Sequence, residues 1–208
     1  MSQTEEKREG FYLSEDGEWI PDGWINTPLN QVVSDFIDYR GKTPTKTTSG
    51  IPLITAKIVK DGRVLPTQEY IAEDDYDSWM RRGIPNEGDV ILTTEAPLGE
   101  VALIPIGKVA LAQRIITLRG KKSILNNGYL KYSLQSPLMQ HRLVARESGS
   151  TVSGIKSSEL KVTKLLLPKD IIEQKAIASV LGSLDDKIEL LREQNETLEA
   201  LALSLIHI

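Results

Sequence analysis

The sequence predicts an α+β fold: a mixed domain of short strands and helices, followed by one long C-terminal helix. Three observations carry this. Between Asp89 and Gly120 lie three short, β-branched apolar runs separated by Pro and Gly, the pattern of compact strands. From Asn126 the apolar spacing turns helical. From Ile177 a strict 4,3 repeat continues almost to the last residue, which is coiled-coil rather than generic amphipathic spacing.

In chain order, residues 1–23 are polar, charged and Gly-rich and are expected to form an extended leader. A compact mixed domain is expected over 24–169. It opens with Leu29, Val32, Val33 and Phe36 at helix-like spacing, ended by a turn at Gly41 and Pro44. "GIPLITAKIVKDGRVL" reads as two strands joined at Asp61-Gly62, a dipeptide suited to tight hairpins. "DDYDSWMRRGIP" predicts a short helix, with acids at its start and the Arg pair at its end. "DVILTTEAP", "GEVALIPIG" and "VALAQRIITLRG" are the three strands. "NNGYLKYSLQSPLMQHRLVARES" is helical, restarted at Ser136-Pro137. A Gly/Ser/Thr-rich loop then leads to a last strand, "KLLLP".

The helix expected over 170–208 has seam residues Ile177, Leu181, Leu184, Ile188, Leu191, Asn195, Leu198, Ala202 and Leu205. At 1.5 Å per residue it would reach ~57 Å, more than a domain of this size needs to cover its own core. A partner helix is the expectation. Asn195 is the kind of polar interruption that fixes register.

Composition narrows the chemistry. There is no cysteine and there are two histidines, His141 and His207, so thiolate chemistry and cysteine-based zinc sites are excluded. No stretch approaches the ~20 apolar residues of a membrane helix, and a cytoplasmic location is expected. The net charge of −4 is uneven along the chain. Residues 108–168 carry 11 basic and 2 acidic groups, a +9 block of the kind phosphate backbones select.

Catalytic motifs do not survive inspection. "GKT" at Gly41–Thr43 lacks the preceding glycine of a phosphate loop, and Pro44 stands where its helix should start. Ser153 and Lys156 match Ser-x-x-Lys spacing without the companion motifs. Asp89 and Glu95 flank a strand but lack the lysine a metal-dependent nuclease would place after them. No metal site is expected. Two other readings stay open: an adaptor whose acidic stretch 69–100 (9 acidic, 2 basic) binds protein, and an enzyme built around His141, Asp89 and Glu95.

Four blocks in order, "GWINTPLNQVV", "GIPLITAKIVKDGRV", "GDVILTTEAPLGEVALI" and the run from "GSTVSGIKSSELKVTKLLLPKDIIEQKAIASVL" to "NETLEALA", resemble the specificity subunit of type I restriction–modification systems. The resemblance spans Trp24 to Ala202, and its last block is the most specific. It implies a target recognition domain that reads one half of a split site in double-stranded DNA, and a spacer helix that pairs antiparallel with a second copy or a second specificity half. It implies no catalysis by this chain. S-adenosylmethionine, ATP and magnesium would belong to the modification and restriction subunits that it positions. The ending "LALSLIHI" departs from the family pattern and is expected to mark a truncated sequence.

Residue types able to read bases or phosphates concentrate in loops beside the strands. The expected DNA contacts are Arg40, Lys42, Thr45, Lys46, Thr47 and Thr48; Thr93 and Thr94; Gln113 and Arg114; and Ser150, Thr151, Ser153 and Lys156. Lys121, Lys122, Lys161 and Lys164 fit phosphate contact or plain solubility equally well.

Overall fold

The computed structural model describes residues 8–14, 17–41, 43–148 and 154–206. Where an extended leader is expected, β1 (Phe11–Leu13) pairs antiparallel with β2 (Trp19–Pro21). Ile20, buried in that hairpin, fastens it to the domain. β3 (Trp24–Pro28) follows. The helix expected around Leu29–Phe36 is a single turn, α1 (Leu29–Val32), and the chain then straightens into β4 (Val33–Asp38). Leu29 and Val32 bury at helical spacing, whereas Val33 and Ile37 bury from a strand. A β-branched pair at the junction served both periods, and sheet pairing decided between them.

Next come β5 (Ile51–Ile54), a 3-10 turn at Ala56–Ile58, and the hairpin β6 (Val59–Lys60) and β7 (Arg63–Val64). The expected Asp61-Gly62 turn is present, with φ of 52° and 84°, the left-handed pair a two-residue hairpin requires. Its strands are shorter than predicted, because β5 pairs elsewhere: antiparallel to β8 (Tyr70–Ile71) and parallel to β11 (Ala110–Leu111). Between them run α2 (Tyr76–Trp79), β9 (Val90–Thr94) and β10 (Leu98–Leu103).

β12 (Ile115–Gly120) completes the central antiparallel sheet, in the order β10-β9-β12-β4. All five residues of β9 are buried. A strand hidden on both faces needs no alternation, hence the unbroken apolar run. Val90, Leu92, Ile116 and Leu118 face one core with Leu130, Leu134 and Leu143. Ile91 and Ile115 face a second core with Leu53, Ile54 and Leu111.

α3 (Asn127–Gln135) and α4 (Pro137–Val144) cover the first core. Asn126 and Ser136 cap them, each side chain accepting a backbone N–H of the first turn, and Pro137 occupies the first helical position. The polar loop expected before the last strand contains a helix, α5 (Ser157–Val162), held by the buried Leu160. One buried apolar anchor in a helix of six residues leaves no periodic signal. β13 (Lys164–Pro168) pairs antiparallel with β3.

α6 (Ile171–Ile206) is 36 residues long, ~54 Å. Among the described residues, no helix is long and apolar enough to cross a membrane. Its root is locked by Gln174, which is fully buried. The Gln174 amide nitrogen donates to the carbonyls of Pro168 and Ile124 (2.8 and 2.9 Å), and its oxygen accepts from Asn126 N–H (2.9 Å). Glu173 accepts from the Trp24 indole at 3.1 Å. Gly128 and Gly182 let α3 and α6 approach: a Cβ at Gly128 would lie 3.1 Å from Ala178, and one at Gly182 3.6 Å from the Tyr132 hydroxyl.

Candidate nucleic-acid interface

Segments far apart in sequence meet where β9 ends and β12 begins. The loop after β4, the turn after β5, the connection after β9 and the junction between β11 and β12 line a cleft of about 250 Å³. Lys46, Lys57, Glu69, Ala96, Gln113 and Arg114 face it. Ala96 and Arg114 both hold left-handed backbone (φ 50° and 73°). That conformation is uncommon for residues with a Cβ and tends to cluster at working sites. Each is held by sheet pairing: Thr94 N–H donates to Arg114 O, and Glu95 bridges Gly154.

The cations of the cleft rest on carboxylates. Arg114 pairs with Glu95 at 2.9 Å and Lys46 with Glu69 at 2.8 Å. Arg40 lies beside Asp38 at 3.6 Å and donates to Ile155 O at 2.7 Å, which ties the end of β4 to the segment after Gly154. Arg82 donates to the carbonyls of Asp38 and Arg40, bracing that end further. Partly exposed pairs of this kind contribute only ~0–1 kcal/mol. Pairs this weak leave each cation open to a competing acceptor.

The structure brings Arg40, Lys46, Gln113 and Arg114 together at or beside this cleft. Thr45 and Thr48 are exposed on the same loop, and Thr47 shapes it: its hydroxyl donates to Ser49 O and its backbone bridges Tyr70. Lys156 follows Ile155 and lines an adjoining groove with Arg146, Ser148 and Glu159. Thr93 and Thr94 require correction. Their exposures are 0% and 1%, and Thr93 Oγ1 accepts from Glu100 N–H, so both are core residues rather than DNA contacts. Lys42, Ser150, Thr151 and Ser153 lie outside the described residues. Lys57 was missed; its only signal is a lone lysine between two strands.

Part of the basic block is engaged inside the fold. Arg119 binds the buried Asp89 through two bonds of 2.7 and 3.0 Å, which raise its pKa. Arg142 binds Glu18, and Lys131 binds Asp185. These cations hold the fold, and charge counted along the chain overstated the surface charge.

Nor do the catalytic candidates assemble. Asp89 and Glu95 stand at opposite ends of β9, ~20 Å apart at strand rise. Each is paired with an arginine. His141 lies on α4 beside Arg142. Among the described residues no group of three His, Cys, Asp or Glu is placed to hold a metal.

The helix seam divides. Ile177 packs on the first core and Leu181 lines an apolar groove with Trp24, Tyr129 and Tyr132. Leu184, Ile188, Leu191 and Leu198 are 45–62% exposed. Asn195 and Ala202 are exposed along the same stretch, and the Leu205 side chain lies outside the described residues.

The chain is similar to known proteins over most of its length. Residues 33–200 match the family model of the type I restriction modification DNA specificity domain. The type I restriction enzyme MjaIX specificity subunit of Methanocaldococcus jannaschii is 34% identical over 119 residues, 57% of this chain and 27% of that protein. The putative MjaX specificity subunit of the same organism is 26% identical over 198 residues, covering 93% and 44%. Among solved structures, the HsdS subunit from Thermoanaerobacter tengcongensis aligns with a TM-score of 0.56 at 21% identity, covering 89% of this chain and 42% of that one. A structure described as the basis of complex assembly and conformational transition of the type I R-M system aligns at 0.61, also at 21% identity, covering 89% and 44%. The chain spans less than half the length of these relatives.

Proposed function

Because the chain belongs to the type I restriction modification DNA specificity domain family, we propose that it reads one half of a bipartite DNA site. Phosphate contacts supply affinity and hold the register, while base edges supply choice. The observation that carries this reading is the convergence of Lys46, Lys57, Gln113 and Arg114 from separate segments on one cleft. Arg114 and Gln113 suit guanine and adenine edges respectively, and Lys46 and Lys57 suit phosphates.

The exposed seam of α6 pairs antiparallel with a second copy or another specificity half. The second recognition domain then stands at a set distance along the duplex. The chain performs no chemistry itself. Modification subunits, carrying S-adenosylmethionine, dock on the assembled pair and methylate adenine, and ATP-dependent restriction subunits join through them. The work is cytoplasmic. An adaptor reading finds less support: in the acidic stretch Asp89 is buried, and Glu69 and Glu95 hold cations.

Selection from a random duplex library tests the proposal. The purified chain should enrich a gapped sequence, and binding should weaken steeply with salt. Enrichment of no sequence, with salt-independent binding, would contradict it.

A further inference from the structure

The spacer helix does more than leave the domain at its root. Beyond the packing of Ile177, Ala178 and Leu181, two charged residues of α6 reach back to the domain. Asp185 Oδ2 receives Lys131 Nζ at 2.5 Å and the Tyr132 hydroxyl at 2.9 Å, both from α3. One turn on, the Glu189 carboxylate pairs with Arg63 of the β6–β7 hairpin. That hairpin is itself fixed: Asp61 N–H donates to Glu100 of β10 at 3.2 Å, and Gly62 packs so closely on α3 that a Cβ would lie 3.0 Å from Gln135. Gln174, Ala178, Gly182, Asp185 and Glu189 thus form one face of α6 turned to the domain, separate from the exposed seam.

We infer that Lys131–Asp185–Tyr132 and Arg63–Glu189 form a brace that fixes the angle of the spacer helix to the recognition domain, and so sets how strictly the gap between half-sites is read. The geometry makes the angle matter. From Asp185 to Ile206 the helix runs on for ~32 Å. A tilt of roughly 6° about the brace moves its tip ~3.4 Å, one base-pair step of DNA. Without the brace, the outermost contacts of the helix with the domain are those of Ile177 to Gly182, nearer its root, and the free arm is longer. Lys131 is well placed for this role, since its side chain is only 8% exposed. A buried cation without its partner is costly, so the closed arrangement is favoured over alternatives. The gap half of the inference rests on the proposed DNA reading; the brace itself does not.

Since the chain has no cysteine, it can be spin-labelled cleanly. The test uses the full chain with Glu87→Cys and Ala200→Cys, diluted with unlabelled chain, and pulsed dipolar spectroscopy of the distance between them. The same backgrounds without labels are co-expressed with the modification subunit, and host DNA is sequenced for methyladenine. Arg63→Glu and Asp185→Asn should each broaden the distance distribution and add methylation at gaps one base pair shorter or longer. Arg63→Glu combined with Glu189→Arg should restore both. Unchanged distances would overturn the brace, and broadened distances with a single unchanged gap would overturn its role in gap choice. If the unmutated chain directs no gapped methylation, the DNA reading fails, while the distances still decide the brace.

Discussion

The Arg114 guanidinium lies 2.9 Å from the Glu95 carboxylate, joining the junction before β12 to the end of β9. Each residue comes from a loop that a neighbouring strand holds still, and Arg114 does so from left-handed backbone. Replacing Arg114 with Ala removes a potential bidentate base contact, at ~1–3 kcal/mol, or about 5–150-fold in affinity for the matching site. Glu95→Ala should act oppositely on non-specific duplex, raising affinity by freeing the cation. Fluorescence anisotropy on matched and scrambled DNA separates the two.

Lys46 contributes charge rather than choice. Lys46→Ala should weaken binding to all sequences alike and lower the slope of log K against log salt by ~0.9. A change in the preferred sequence with an unaltered slope would make Lys46 a base reader.

The seam should respond differently along its length. Polar replacement of Leu184, Ile188 and Leu191 together should abolish self-association and make the unfolding midpoint independent of protein concentration, since all three are exposed in the single chain and covered only in the pair. Polar replacement of Ile177 should instead lower that midpoint, because it packs on the first core. Sedimentation and thermal unfolding of the two variants check this.

Gln174→Leu leaves Asn126 N–H and the carbonyls of Ile124 and Pro168 without the partner they now share. Buried unpaired groups cost ~1–3 kcal/mol each, and partial relaxation should leave a loss of ~3 kcal/mol in denaturant unfolding.

The Asp185 contact has a pH signature. Burial alone would raise its pKa, but hydrogen bonds from Lys131 and Tyr132 outweigh burial and hold it below its ordinary 3.8. A carboxylate depressed in the folded state contributes stability fully above its unfolded pKa and loses it as pH falls through the folded value. Acid unfolding of the native chain should therefore show a loss of stability below pH 3.8 that Asp185→Asn removes.

Much of this was legible in the residues. The strands β9 and β10, the restart at Ser136-Pro137, the Asp61-Gly62 turn and the long helix all follow from local period and turn chemistry, whereas the single strand expected over "VALAQRIITLRG" is two, β11 and β12, in different sheets and parted at the left-handed Arg114. What escaped depended on tertiary choice. Val33 could serve helix or strand, and only pairing with β12 settles it. α5 has one apolar anchor, too few to show a period. Thr93 and Thr94 look like polar strand-end readers until both faces of the sheet are covered. Charge along the chain cannot reveal that Arg119, Arg142 and Lys131 are neutralised by acids distant in sequence. The cleft was half visible, through Lys46, Gln113 and Arg114.

The most direct measurement is the methyladenine map of a host expressing the chain with its modification subunit, alongside the same host carrying Arg114→Ala. Two identical chains paired by symmetry should direct methylation to a gapped palindrome. Arg114→Ala should relax one base position, mirrored in both halves, and leave the gap unchanged. A motif identical in both hosts would contradict the account, because the cleft around Arg114 would then not be what reads the DNA.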